Sequence, residues 1–308
     1  MPTLPVKYLF RPRWSPPLAR ILVTGIATID HVLDVAAYPG EDSESRALGS
    51  ETRPGGNAAN TACVLAQAGH RADLAAVVAA GAEGEVLLRL LLAQGIGVDP
   101  CIRREGRTPT SHVLRSLASG SRTIVHFRDL PELAAADFRK IELSGYDWFH
   151  FEGRNPGELP SMLRTVRRVA VDQPLSLELE KPREGLDAAL PLADVLLFSR
   201  GWAQALSADD PEEFVRRAAR QRPEQLQTLT WGDRGAWLAH RGEVFHCQPR
   251  AGLEIRDSLG AGDSFNAGLI HALISGEPPE RALEAAVRLA ERKLAQVGLE
   301  GLFAPQGN

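Results

Sequence analysis

The chain has 308 residues, 24% of them charged, and a formal net charge of −4 at pH 7. This balance gives no strongly basic surface for nucleic acid, and no stretch reaches the ~20 consecutive apolar residues that span a membrane. The three cysteines, Cys63, Cys101 and Cys247, are far apart and form no Cys-x-x-Cys pair. We therefore expect no disulfide framework and no zinc site, but reduced thiols in a cytoplasmic protein.

The first 19 residues differ in composition from the rest, with five prolines among interleaved arginines and aromatic residues. They contain no continuous apolar segment of the kind found in signal peptides. We predict a disordered tail over residues 1–19 and a single domain over residues 20–308, because no linker or internal repeat divides the remainder.

The first predicted strand is an apolar run over residues 20–25 that ends in a glycine. Asp30 follows just beyond this strand and is expected near the carboxyl-terminal edge of a sheet. Ligands bind at that edge in open α/β sheets, so Asp30 is a candidate binding residue.

Two segments are predicted to be additions to the main sheet. Residues 31–53 contain two short extended pieces around an acidic turn that includes Asp42, and residues 110–127 contain two extended runs joined by a hairpin signal. We predict that both segments form one small β-sheet lid. Arg122 begins the last strand of this lid, where its guanidinium group could reach a bound polyphosphate. A solvated surface arginine is the alternative.

A helix is predicted over residues 58–68, after Gly55, Gly56 and Asn57. Asn57 and Asn60 are three residues apart and share the face of its first turn. Two side-chain amides can each donate and accept hydrogen bonds, as the recognition of sugar hydroxyl groups requires. The alternative is an ordinary Asn cap, with Asn60 in solvent.

Strand-like runs alternate with stretches of helical periodicity through the middle of the chain, which predicts a mainly parallel, doubly wound sheet. The strand-like runs are residues 73–80, 147–151, 175–179, 195–198 and 227–231, and the helical stretches include residues 158–171 and 211–222. Charged residues lie where several of these strands end: Glu152, Arg154, Glu178, Glu180, Lys181 and Asp233. We interpret them either as ligands at the carboxyl edge or as a structural ion-pair cluster.

Residues 257–266 (DSLGAGDSFN) carry the strongest signal for chemistry. Residues 260–262 carry no side chain larger than a methyl group, so the backbone is accessible just before a helix predicted over residues 264–275. The first amide N–H groups of that helix are therefore free to bind an anion. An aspartate that merely capped this helix would compete for those amides. We therefore interpret Asp263 as a general base that acts on a neighbouring hydroxyl group. The alternative is a glycine-rich turn in which Asp263 caps the helix.

Residues 55–60 (GGNAAN) and 257–263 (DSLGAGD) together resemble the two signature motifs of the ribokinase-like (pfkB) carbohydrate kinases. Four further segments are similar to the ketohexokinase branch of that family: residues 38–43 (YPGEDS), 119–124 (SGSRTI), 150–155 (HFEGRN) and 180–184 (EKPRE). The likeness extends from about residue 20 to 303. It implies a ribokinase-like α/β fold, with a mainly parallel sheet flanked by helices and a small lid. It also implies an ATP-dependent ketose kinase that phosphorylates D-fructose at its 1-hydroxyl group.

The resemblance implies roles for individual residues. Asp263 would take the proton from the sugar hydroxyl, and charge on the phosphoryl group would be held by the amides of Gly260, Ala261 and Gly262. The sugar would be bound by Asp30, Gly56, Asn57 and Asn60, and by Asp42 from the partner subunit of a homodimer formed through the lids. The nucleotide would be bound by Arg122, Trp231, Asp233, Gly235, Gly260, Gly262 and Leu294.

The implied cofactors are ATP and Mg²⁺, with K⁺ as a further candidate. The metal ligands stay unassigned, because residues 199–202 (SRGW) lack the Asn-x-x-Glu motif common in the family, and the eight histidines show no metal-ligand spacing. We assign the histidines to packing or to the surface. Leu294 and Ala295 replace the Cys-Gly pair expected beside adenine.

Three other functions are weighed against this one. Another sugar or nucleoside kinase of the same fold would share the chemistry. A non-catalytic sugar-binding regulator would have no use for the base Asp263. A nicotinamide-dependent dehydrogenase is disfavoured because residues 25–30 (GIATID) lack Gly-x-Gly-x-x-Gly.

Overall fold

The computed structural model describes residues 18–303. In chain order its strands are β1 (Arg20–Thr24), β2 (Thr28–Val35), β3 (Gly49–Gly55), β4 (Arg71–Ala75), β5 (Val77–Ala79), β6 (Ile102–Arg104), β7 (Thr110–Ser116), β8 (Arg122–Phe127), β9 (Trp148–Glu152), β10 (Leu175–Leu179), β11 (Val195–Phe198), β12 (Leu226–Thr230), β13 (Ala236–His240) and β14 (Glu243–Cys247). Its α-helices are α1 (Asn57–Gln67), α2 (Ala82–Ala93), α3 (Ala135–Phe138), α4 (Leu159–Val169), α5 (Arg200–Ala205), α6 (Pro211–Gln221), α7 (Ala261–Ile274) and α8 (Pro279–Leu294).

The central sheet has eight strands in the order β14-β13-β12-β11-β10-β9-β1-β4. The pairs from β4 to β12 are parallel, and β13 and β14 add an antiparallel edge. The parallel strands read as near-continuous apolar runs because helices cover both faces of the sheet. One core lies under α1, α2, α7 and α8, and the other lies under α3 to α6. This is the predicted doubly wound architecture.

A separate four-stranded sheet, in the order β3-β2-β7-β8, stands on the carboxyl-terminal side of the central sheet. It joins the two predicted segments, because β2 pairs with β7 in parallel register from Ile29↔Thr110 to Val35↔Ser116. The prediction of a lid assembled from two insertions is therefore confirmed.

Helix α7 is the most buried helix near the site. Ten of its residues are buried, and it packs between α1 and α8. A helix that is apolar on nearly all sides belongs in the interior. Its amino terminus is consequently held rigidly at the carboxyl edge of the sheet, below the lid.

Several predicted bounds need correction. The run at 73–80 is two strands: β4 pairs with β1, whereas β5 pairs with β6 in a separate two-stranded sheet. Asp30 lies within lid strand β2 rather than just past β1. Helix α7 begins at Ala261, so Asp263 lies inside its first turn.

The predicted tail falls almost wholly outside the described residues. Of residues 1–19, only Leu18 and Ala19 are described, and Ala19 is buried against the core. Cys63, Cys101 and Cys247 are all free thiols. Within residues 18–303, no helix is both long enough and apolar enough to cross a membrane.

Candidate active site

A cavity of about 310 Å³ lies between the lid, the carboxyl edge of the central sheet and the start of α7. Eight of the predicted site residues line it: Asp30, Gly56, Asn57, Asn60, Arg122, Gly260, Gly262 and Asp263. Six other predicted residues are not part of its lining: Asp42, Ala261, Trp231, Asp233, Gly235 and Leu294. The structure thus brings together residues that are more than 200 positions apart in the sequence.

Asp263 lies at the base of this cavity with 6% of its surface exposed. Its Oδ2 accepts a hydrogen bond from Nδ2 of Asn60 (2.7 Å). Burial raises the pKa of Asp263 to about 7; the Asn60 hydrogen bond opposes this rise, and the charges of Glu152 and Glu180 add to it. A carboxyl group whose pKa lies near neutrality is suited to accept a proton from a hydroxyl group.

The amino end of α7 forms an anion site beside this carboxyl group. Gly260 has a φ of 84°, in the left-handed region that favours glycine, and it ends the loop that enters the helix. The amides of the first helical turn have no partner within the helix. A Cβ added to Gly262 would meet no atom within 4 Å, so the backbone there faces open space. Phosphate oxygens can reach these amides.

Arg122 covers the anion site from the lid. It is the first residue of β8 and is exposed, and its Nη1 donates to Oγ of Ser258 in the loop before α7. Its positive charge also works against the rise in the pKa of Asp263. The guanidinium group therefore closes the side of the cavity where phosphates would lie.

Asp30 lines the cavity from lid strand β2, and its carboxylate is held in place. Thr28 Oγ1 donates to its Oδ1 (2.6 Å), and Asp30 is 5% exposed. A Cβ at Gly55 would collide with this carboxylate, and Gly56 has a φ of 97° close to the backbone oxygen of Ile26. The two glycines are therefore required for the approach of β3 and α1 to Asp30.

Asn57 is engaged differently from the prediction of a simple sugar ligand. Its Nδ2 donates to Oε1 of Glu178 (3.0 Å) and to Oε2 of Glu180 (3.4 Å) at the end of β10. Because both amide protons are used, its Oδ1 is the atom left to accept a hydrogen bond from a ligand.

The two glutamates beside Asn57 fit a divalent cation. Glu178 is buried, and its Oε2 has no hydrogen-bond partner among the described residues. Burial raises the pKa of Glu178 well above its usual value, and the nearby charges of Asp263, Glu152 and Glu180 raise it further. No group of three or more acidic, histidine or cysteine side chains in the described part of the chain could hold a metal by itself. Mg²⁺ commonly uses only one or two carboxylates together with phosphates and water, and this pair supplies them.

Two of the lining residues that had no predicted role in the site are Ser111 and His126, and Arg154 was predicted only as one of the charged residues at the strand ends. Ser111 and His126 face the cavity from paired lid strands, with Ser111 Oγ and His126 Nδ1 3.2 Å apart. His126, which the sequence assigned to packing or the surface, therefore lines the cavity; His150 is packed, as predicted. Arg154 pairs with Glu152, its Nε donating to Oε1 (2.5 Å). Arg154 lies in residues 150–155, which the family resemblance singled out, whereas no feature of the sequence pointed to Ser111.

Three of the residues predicted to bind the nucleotide, Trp231, Asp233 and Gly235, lie in the loop between β12 and β13. Trp231 is buried in the core under α5 and α6, Asp233 is exposed, and Gly235 has a φ of 81° where a Cβ would collide with the backbone oxygen of Cys247. Leu294 is the last residue of α8, and its backbone oxygen accepts the amide of Arg256 (2.8 Å). Their roles in nucleotide binding stay predictions.

Comparisons with known proteins identify the family and the fold of the chain. A family profile described as pfkB family carbohydrate kinase matches residues 18–302. Mouse (Mus musculus) ketohexokinase is 31% identical over 293 residues, which cover 92% of this chain and 98% of the relative. A candidate ribokinase from Agrobacterium tumefaciens has the same fold, with a TM-score of 0.81 and 22% identity over 92% of this chain and 94% of that one. Arabidopsis thaliana ribokinase, solved with ribose and ATP, has a TM-score of 0.73 and 18% identity over 91% and 94% of the two chains.

Proposed function

The chain belongs to the pfkB family of carbohydrate kinases, and on that premise we propose that it transfers the γ-phosphoryl group of ATP to the 1-hydroxyl group of D-fructose. The environment of Asp263 is the main support for this proposal. Asp263 is a buried carboxyl group with a pKa of about 7 in the first turn of α7, it accepts a hydrogen bond from Asn60, and it lines the same cavity as Asp30. This arrangement combines a base with an anion site.

In the proposed reaction, Asp30 and Asn60 orient the sugar, and Asp263 takes the proton from the attacking hydroxyl group. The phosphoryl group passes to that oxygen, and the amides of residues 260–262 stabilise its charge. Arg122 lies over the phosphates and excludes water from them. Phosphoryl transfer needs mainly alignment and charge stabilisation, which these groups supply.

The charge of the cavity makes a counter-ion necessary. Four carboxyl groups and two guanidinium groups line the cavity, and ATP is itself a polyanion. Glu178 and Glu180 would hold Mg²⁺, which would neutralise part of the phosphate charge when bound. Asn57 keeps both carboxylates in place through its two hydrogen bonds.

Ketohexokinase is among the relatives at 31% identity, and this supports fructose as the acceptor. Another sugar or nucleoside kinase with the same base and anion site is the alternative. The ratio kcat/KM should be measured for fructose, other ketoses, aldoses and nucleosides with ATP and Mg²⁺. We expect fructose to have the highest value. A preferred aldose or nucleoside would replace the ketose assignment, and no turnover of any acceptor would support a sugar-binding regulator.

The activity should depend on the protonation of Asp263. The base works only when it is ionised, and burial raises its pKa to about 7. We therefore expect kcat/KM for the sugar to rise with pH below about 7 and to level off above it, because kcat/KM reports ionisations in the form of the enzyme that the sugar meets. The profile should be recorded at saturating nucleotide. A value that stays flat between about pH 5.5 and 8 would contradict the assignment of the base.

The lid supports a proposal that two chains form a homodimer. Apolar side chains on the lid and its connections are exposed outside the cavity: Tyr38, Leu48, Leu117, Val125 and Phe127. Every residue of edge strand β8 is exposed as well. Exposed apolar residues on an open sheet edge are unfavourable unless they are covered, and a second lid related by a two-fold axis would cover them.

We expect light scattering to give a dimer at micromolar concentration. Val125→Lys should disrupt the dimer and leave the monomer intact, because Val125 is 65% exposed and its side chain can be replaced without loss of packing in the monomer. This variant should dissociate while its thermal unfolding temperature stays close to that of the parent. A parent protein that is monomeric at the same concentration would exclude the dimer.

A further inference from the structure

Lys293 lies in the last turn of α8 and is completely buried, although lysine is rarely buried unless it is paired. Its Nζ donates to the backbone oxygen of Asp257 (3.0 Å), to Oδ2 of Asp257 (2.9 Å) and to the backbone oxygen of Gln296 (3.4 Å). Three acceptors match the three N–H donors of a protonated lysine. The side chain therefore carries an ammonium ion surrounded by oxygen atoms, and the transfer step described above does not use it.

Asp257 connects this cation to the loop before α7. Its Oδ1 accepts the amide of Leu259 (2.9 Å), and its Oδ2 accepts the amide of Gly298 (3.2 Å). Burial alone would raise the pKa of Asp257, but the Leu259 amide, Lys293 and the Gly298 amide hold it below its usual value. The ionised carboxylate thus ties the loop before α7 and the loop after α8 to the end of α8.

The anion site begins three residues after Asp257. A Cβ at Gly260 would press on the side chain of Leu299 (3.0 Å), so the two loops are in close contact beside the amides that would bind phosphate. A movement of this contact would change the direction in which those amides point. A displacement of a binding group by about 1 Å can lower the rate about 10²-fold. A neutral side chain at position 293 could fill the same volume. It would remove the nearest counter-charge of the buried Asp257 carboxylate and leave only Arg53, whose Nη2 lies 3.8 Å from Oδ2. Weakening the pairing of a buried charge is unfavourable.

We propose that Lys293 is a tethered cation that positions the anion-site loop, and that a free alkylammonium ion of matching size can take its place. Lys293 touches neither substrate and acts through Asp257. The inference rests on the kinase chemistry but not on fructose, because its test compares variants on whichever sugar is turned over. If the chain does not phosphorylate fructose, the comparison of the variants can therefore still be interpreted on the sugar that it does phosphorylate.

The test uses two variants that both remove the charge. Lys293→Ala leaves space for the three carbon atoms and the ammonium group of n-propylammonium, which replace Cγ, Cδ, Cε and Nζ of the lysine, whereas Lys293→Met fills that space. We expect both to lower kcat about tenfold, which is less than the 10²–10³-fold cost of losing an oxyanion donor outright, with little change in KM for the sugar. In Lys293→Ala, n-propylammonium should restore most of the lost kcat with saturation. It should have no effect on Lys293→Met, and n-propanol, which has the same shape but no charge, should restore neither variant.

Lys140→Ala is the control, because Lys140 is an exposed lysine paired with Asp137 (2.8 Å) away from the cavity. It should keep the parent kcat and show no response to the amine. Equal rescue of Lys293→Ala by n-propanol and n-propylammonium, or no rescue of a folded Lys293→Ala, would overturn the proposal. If Lys293→Ala does not fold, the kcat of Lys293→Met tests the role of Lys293 instead. A folded Met variant with more than about half the parent kcat refutes the role, and a loss of kcat at an unchanged unfolding temperature supports it.

Discussion

Asp263→Asn is expected to lower kcat by about 10²–10⁴-fold, the range that general base catalysis contributes. The amide is nearly the same size as the carboxylate, and its oxygen can still accept the Asn60 hydrogen bond that Asp263 Oδ2 accepts at 2.7 Å. It cannot take a proton from the sugar. The loss should therefore appear in kcat, while fructose and a non-hydrolysable ATP analogue keep calorimetric Kd values close to those of the parent.

Asp172→Asn is the matched control for this substitution, because it makes the same chemical change at an exposed loop residue. It should retain the parent kcat and the parent pH profile. An Asp263→Asn enzyme that kept more than about half the parent kcat would remove Asp263 from the role of base.

The second large effect is expected at Asp42. This residue lies in the turn between lid strands β2 and β3, it is exposed, and it has a φ of 53°. It is not part of the cavity lining in its own chain, which is consistent with a role in the site of a partner subunit. A charged hydrogen bond to the sugar is worth roughly 1.5–3 kcal/mol, so Asp42→Ala should raise KM for fructose about ten- to a hundredfold.

A mixed dimer of Asp42→Ala and Asp263→Asn chains shows which subunit Asp42 serves. If Asp42 reaches across the interface, one site carries both lesions and the other carries neither, so about half of the parent activity remains at limiting fructose. If Asp42 acts within its own chain, each site carries one lesion and the mixed dimer is poor at limiting fructose. That second result would rule out lids that complete each other's sites, and it would leave the kinase assignment intact.

The regular elements were predictable where the apolar pattern was unambiguous. Strands β10 and β11 have the predicted bounds because they are short, fully buried runs between turn signals. The run at 73–80 is equally apolar throughout, so the pattern contained no sign that the chain changes sheets at Ala76. An apolar pattern indicates that a strand is buried, but it does not identify the strand with which it pairs.

The candidate site was predictable where two local motifs each carried a physical reason. Asn60 and Asp263 are 203 residues apart, yet each was marked by glycines at a helix start, and the structure places them in direct contact. Glu178 was marked only as a charged residue at the end of a predicted strand, either a ligand or part of an ion-pair cluster. Its convergence with Glu180 on Asn57 depends on the register of β10 beside β9 and on the position of α1. The same holds for Lys293, whose partner Asp257 is 36 residues away.

We propose that this chain phosphorylates fructose at the 1-hydroxyl group. The purified protein should be incubated with D-fructose, ATP and Mg²⁺, and the sugar product should be identified by ³¹P and ¹³C NMR. We expect a phosphorus atom coupled to C1, which defines fructose 1-phosphate, and we expect the Asp263→Asn protein to form none in the same time. Fructose 6-phosphate as the product, or unreacted fructose under conditions in which another sugar is phosphorylated, would contradict the claim.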